Sequence, residues 1–328
     1  MKKNLIKLCG IFILSTIVSA CHNDADEGLV TDPLDNLDNG TEYISIYRIP
    51  VVVHVVHNGE NIGNGANITY EQVKSQIDVL NEDFRKMANT NGDGQNPNGT
   101  DTQIEFFLAE KDPNGAVLTE PGIDRIDGGR SEWPKGSFRN PIDTSLKPIS
   151  IWPPDHYFNI WTVNFGGFTG RNLLGFAQFP DMSGLDGLNE IGGSAETDGI
   201  VIGYKYFGSS EKGDFPDLMF PFDIGRTTTH EVGHWLGLRH IWGDGDCSAD
   251  DFCDVTPNAA GPNYGCPSGQ ISCETLDMIE NYMDYTDDAC MNTFTFDQRD
   301  RMHIVLENSP RRKELVLKVE EPISQAFQ

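Results

Sequence analysis

The longest hydrophobic run with a strand-like pattern lies at residues 44–56, where IYRIPVVVHVV is rich in β-branched side chains and predicts a buried strand. Next, TYEQVKSQIDVLNEDFRKM from Thr69 to Met87 places Val73, Ile77, Leu80 and Phe84 at helical spacing, with Thr69 as cap and Gln72 three residues on. Further strands are expected at 103–109, 158–165 and 199–206, between long loops rich in Gly, Asn and Pro. No internal repeat interrupts this order, so one domain is expected over 43–318, with a short C-terminal tail at 319–328. Its front reads as a mixed α/β sandwich, and its back, after residue 240, as mostly loop.

The start of the chain has a different pattern. Lys2, Lys3 and Lys7 precede an apolar run from Leu8 to Val18 that is too short to span a bilayer, so residues 1–20 read as an export signal. The run ends in Val18-Ser19-Ala20-Cys21, which resembles a bacterial lipoprotein cleavage box with Cys21 as the lipidated residue; an ordinary secretory signal is the other reading. Residues 21–42 are acidic, aperiodic and rich in Asn and Gly, as expected of a flexible tether. The picture is of a monomer outside the cytoplasm, lipid-anchored to the outer membrane of a Gram-negative cell. The formal net charge of −26 sets the surface against nucleic acid, and it attracts basic peptides at long range.

Cysteine use agrees with export. Cys247, Cys253, Cys266, Cys273 and Cys290 cluster in the last third of the chain without a CxxC pair, which favours disulfides over a zinc ribbon and leaves their connectivity open. Two histidines, His54 and His57, lie on or beside the first strand and read as structural. The run from Asn89 to Gly94 imitates a calcium loop but has Thr100 where a bidentate glutamate is needed, so it reads as turns.

Chemistry concentrates at HEVGHWLGLRH, residues 230–240, which holds three of the chain's eight histidines. On a helix running from Thr227 or Thr228 to Leu236, His230 and His234 share one face and can bind one metal ion. Glu231 then reaches a water on that metal without being a ligand. Gly237 ends the helix in a conformation suited to glycine, and the chain returns His240 as a third nitrogen ligand. Three protein ligands leave a coordination position open, as catalytic zinc requires. Val232, Trp235, Leu236 and Leu238 read as the core side of this segment.

HExxHxxGxxH is the metzincin metallopeptidase motif, and it calls for a methionine turn downstream. Asn281-Tyr282-Met283-Asp284-Tyr285 supplies one, with Met283 as the methionine beneath the zinc. Together with Gly265-Cys266-Pro267 and NYMDYTDDACMNTFT from Asn281, the wording resembles the pappalysin family of metzincins, most closely over 226–302. That resemblance implies an α+β metzincin fold, with a mixed twisted sheet and helices in an upper subdomain and a loop-rich, disulfide-stabilised lower one. It implies a zinc endopeptidase in which Tyr285 helps to stabilise the oxyanion. It also implies the pairings Cys247 with Cys273 and Cys266 with Cys290, leaving Cys253 outside the pattern.

One departure concerns calcium. Val255-Thr256-Pro257 stands where relatives carry Asp-Thr-Pro, although Asp244, Asp246, Asp250, Asp251 and Asp254 still offer hard oxygen ligands; a calcium loop and a solvated acidic loop are both open readings. The mechanism expected is water attack on a peptide carbonyl, with Glu231 as general base and then acid. Protein or peptide substrate is expected to lie extended along an edge formed near Asp198 to Tyr204. The rival class is a catalytically inactive, surface-anchored zinc adhesin or binding lipoprotein. It would tolerate loss of Glu231, Met283 or Tyr285, and all three are present.

Overall fold

A computed structural model describes residues 43–135, 140–166, 173–188 and 192–322. The signal, the tether and Cys21 lie outside the described residues.

Strand β1 (Tyr43–His57) is the spine of a seven-stranded mixed sheet. It pairs in parallel with β2 (Ile104–Leu108), β3 (Ile123–Asp127) and β5 (Phe158–Val163), and antiparallel with the last strand, β11 (Leu317–Pro322). Beyond β5 come β8 (Ile200–Gly203), parallel to it, and β7 (Gly175–Ala177), antiparallel to β8. Two-residue pairs add β4 (Trp133–Pro134) with β6 (Phe165–Gly166), and β9 (Ile271–Ser272) with β10 (Thr275–Leu276).

Helix α1 (Tyr70–Phe84) starts where its cap predicts: the Thr69 side chain accepts from the backbone N–H of Gln72. It lays Val73, Ile77, Leu80 and Phe84 on Val51, Val53 and Val55 of β1. Each of these buried side chains contributes roughly 1.5–3 kcal/mol. The same core takes in Val232 and Trp235 of α3 (Arg226–Trp235) and Met302 and Leu306 of α4 (Phe296–Asn308). On the other sheet face a smaller cluster packs Trp161 and Val201 under Ile142 and Leu146. That layer is a π-helical turn at Ile142–Leu146 continued by α2 (Lys147–Ser150).

Three expectations change. Residues 199–206 are not one strand, because β8 stops at Gly203 and a 3-10 turn follows at Tyr204–Tyr206. Nor are they an edge: β8 is flanked on both sides, and among the described residues β7 is the last strand on that side. The back of the domain is mostly loop, as expected, and within it α4 has a full capping box at Thr295 and Gln298 and is followed by α5 (Pro310–Leu315). The sheet also runs past Lys318, so residues 319–322 belong to β11 rather than to a tail. Cys247 pairs with Cys273 and Cys266 with Cys290, while Cys253 is a buried free thiol.

Candidate active site

Helix α3 starts directly after its N-cap, a left-handed Gly225, and buries His230, Glu231 and His234. It stops at Gly237, where φ is +91° and Leu238 N–H returns to the Gly233 carbonyl at 2.9 Å. The reversal brings His240 back, and the ligand atoms of His230, His234 and His240 lie within 4.8 Å of one another. His234 Nε2 and His240 Nε2 are 3.0 Å apart.

Each imidazole is oriented by its other nitrogen. His230 Nδ1 donates to the Tyr282 carbonyl at 2.7 Å, His234 Nδ1 to the Leu238 carbonyl at 2.8 Å, and His240 Nδ1 to Asp244 Oδ1 at 2.5 Å. Those bonds leave three Nε2 lone pairs pointing at one another, the donor set that zinc takes at about 2.0–2.1 Å per nitrogen. Burial, then the neighbouring imidazoles, holds His230 well below its usual range and His234 down to about 3; burial also lowers His240. Neutral rings are the ligating form.

Beneath this site, Asn281 Oδ1 accepts from Met283 N–H, and Asp284 Oδ1 accepts from Tyr285 N–H, so the two polar residues of NYMDY shape its turn. Met283 is fully buried against α3, and a Cβ at Gly233 would collide with its sulfur. Tyr285 sits beside the ligands, its ring 4.8 Å from that of His240 and 5.5 Å from that of His230. Burial pushes its hydroxyl up to about 12. At the far end of α3, Trp235 Nε1 donates to Asp198, which also binds Arg312; the Arg312 guanidinium lies 3.9 Å over the Trp235 ring.

The roof is β7. A Cβ at Gly175 would come within 2.9 Å of Glu231 Cγ, so the edge strand passes directly over the glutamate. Burial pushes Glu231 up to about 8, against the pull of the Lys135 ammonium, which rests 3.4 Å from the Phe176 ring centroid. Beside Glu231 opens a cavity of about 510 Å³, lined by Leu174, Thr227, Tyr264, Met291 and the acid Asp288 among others. Asp288 Oδ2 accepts from the backbone N–H groups of Ile224 and Arg226, and burial pushes this carboxyl up to about 7.

Other candidates fall elsewhere. His54 is buried between Asp124 and Asn159, and His57 accepts from Gly59 N–H; both serve the sheet and its turn. The 89–94 segment forms turns, with Gly92 packed on the α1 backbone. Asp244 serves His240, and Asp246 and Asp250 cap their own loop, so these three acids do not converge on a cation. Sequence reasoning missed Asp244 as a partner of the third ligand, although its i,i+4 spacing from His240 was a readable signal. Asp288 and Gly175 carried no local signal, because only the fold brings them to Glu231.

Fold and site together define a metallopeptidase of metzincin fold. Residues 147–307 match the Peptidase M43 family, described as pregnancy-associated plasma protein-A. An extracellular metalloprotease of Verticillium alfalfae is 30% identical over 261 residues, covering 78% of this chain and 74% of that one. One from Arthroderma benhamiae is 28% identical over 312 residues, covering 92% and 89%. Among solved structures, mature mirolysin of Tannerella forsythia in complex with a cleaved peptide is 40% identical, with a TM-score of 0.67 over 82% of this chain and 96% of that one. The chain belongs to the pappalysin family of metallopeptidases.

Proposed function

We propose that this protein is an exported, zinc-dependent endopeptidase that cleaves extracellular proteins or peptides, with Glu231 as general base. The observation that carries the reading is the convergence of three neutral imidazoles beside a buried glutamate, under β7, the last strand on that side among the described residues. His230, His234 and His240 would hold zinc, which when bound polarises the scissile carbonyl and acidifies the attacking water. Substrate backbone would pair with the edge strand β7, in place of the 198–204 segment that the sequence suggested. Glu231, kept basic by burial, takes a proton from the attacking water and delivers it to the leaving amine. The Tyr285 hydroxyl, still protonated at neutral pH, donates to the oxyanion that develops on the carbonyl.

The cavity beside Glu231 would seat a basic side chain of the substrate. Asp288 supports this, since only its Oδ2 has donors among the described residues and the side chain lines an otherwise largely apolar space. The apolar leader and Cys21 support export and lipid anchoring to the outer membrane, with the protein acting as a monomer. Calcium is proposed at the loop from Asp251 to Thr256. The Asp251 carboxylate and the Thr256 hydroxyl are buried against each other, and burial pushes the Asp251 carboxyl up to about 7. A hard cation would satisfy both oxygens.

The inactive-adhesin reading would tolerate loss of Glu231, Met283 or Tyr285, and the presence of all three beside the histidines supports the peptidase instead. Incubating the protein with a denatured protein mixture and mapping new termini by mass spectrometry tests the proposal. New internal termini that vanish with a chelator and return with zinc are expected; none in any condition would refute it.

A further inference from the structure

The cavity beside Glu231 contains a cation as well as an acid. Arg226, the first residue of α3, lines it together with Asp288, and no other Arg or Lys does so among the described residues. A free guanidinium there would neutralise Asp288 and repel an incoming Lys or Arg side chain.

Asp83, at the end of α1, prevents this. Its Oδ1 is 3.0 Å from Arg226 Nη2, and both side chains are at most 1% exposed. Its Oδ2 accepts from the Thr229 hydroxyl at 2.6 Å, which locks the carboxylate onto α3. Arg226 Nη1 is turned to the Ile224 carbonyl at 2.9 Å, and the buried Tyr282 hydroxyl lies against both members of the pair. The Arg226 guanidinium thus lies between the cavity wall, where the acids are Glu231, Asp284 and Asp288, and the buried Asp83 behind it. The guanidinium is matched by the acid that substrate does not touch.

We propose that Asp83 is a positioning residue for substrate selection: by holding the Arg226 guanidinium it cancels the cavity's one cation and leaves Asp288 to a basic substrate side chain. The inference rests on the cavity being a basic-residue subsite. It concerns a residue on another element, which reaches the cavity only through Arg226. Ionic interactions at this range, in a partly desolvated site, correspond to a change in preference on the order of ten- to a hundredfold.

The test uses the zinc-loaded full chain and matched peptides carrying Arg or Leu beside the scissile bond, and reads the ratio of their kcat/KM values. Asp83→Asn should lower the Arg/Leu ratio at least about tenfold, since the released guanidinium then faces Asp288. The double variant Asp83→Asn with Arg226→Gln removes both charges together and should return the ratio toward that of the wild type. Equal losses on both peptides in Asp83→Asn would mean a merely structural role and overturn the proposal, as would an unchanged ratio. If the single variant does not fold, Thr229→Val, which removes the hydroxyl that locks Asp83 onto α3, is read in the same way: a lowered Arg/Leu ratio supports the proposal and an unchanged one overturns it. Asp288→Asn separates the two layers. Arg preference surviving that change refutes the subsite itself, whereas preference lost there but untouched by Asp83→Asn refutes only the role of Asp83.

Discussion

His230 Nδ1 and the Tyr282 carbonyl oxygen are 2.7 Å apart, so the first histidine of the triad hangs directly from the turn that carries Met283. The turn must therefore press closely on α3, and Gly233 is what admits it, because a Cβ there would meet the Met283 sulfur. Gly233→Ala removes a helix-weakening glycine yet overpacks a buried contact. The expected net effect is a loss of about 1–3 kcal/mol in thermal or denaturant unfolding, with weaker metal retention. A variant as stable as the wild type would show that the turn has room to move.

Asp244 is half exposed, yet it holds the third histidine of the triad through a 2.5 Å bond to His240 Nδ1. Asp244→Ala should lower zinc affinity by about 10- to 100-fold in chelator competition while the far-UV circular dichroism is unchanged. Unaltered affinity would mean that the imidazole is oriented by its stack on Trp242 alone.

The Asp288 carboxyl, pushed up to about 7 by burial, is neutral below that pH and charged above it. A basic side chain is attracted only by the charged form. The ratio of kcat/KM for Arg over Leu peptides should thus rise between pH 6 and pH 8, by up to about tenfold, and lose this rise in Asp288→Asn. A flat ratio in the wild type would count against the cavity's assignment.

Calcium at the Asp251 loop should raise the melting temperature of the zinc-loaded protein by several degrees, roughly the effect of 1–3 kcal/mol. Asp251→Asn should abolish the response. No shift with millimolar calcium in the wild type would leave the loop's buried oxygens without an ion to explain them.

Much of this was readable along the chain. Thr69 and Gln72 announced α1, β-branched residues announced β1, and HEVGHWLGLRH encoded a helix, its glycine end and three converging histidines in one short segment, because helical spacing is a local property. What escaped was non-local. β7 is three residues long, too short for a period, and its place at the sheet edge depends on pairing with β8. Asp83 and Asp288 are far apart in sequence, and each looks like an ordinary acid until α1, α3 and the segment after NYMDY are packed together. Helix α4 has a weakly amphipathic pattern, with Met302, Val305 and Leu306 buried among charged neighbours, which hid it within the loop-rich half.

The most direct measurement compares the wild type with Glu231→Ala for zinc content and for new peptide termini generated from a denatured protein. The account predicts one zinc per chain in both proteins, because Glu231 is not a ligand, and a loss of cleavage in the variant of at least about a hundredfold. Undiminished cleavage by Glu231→Ala would contradict it.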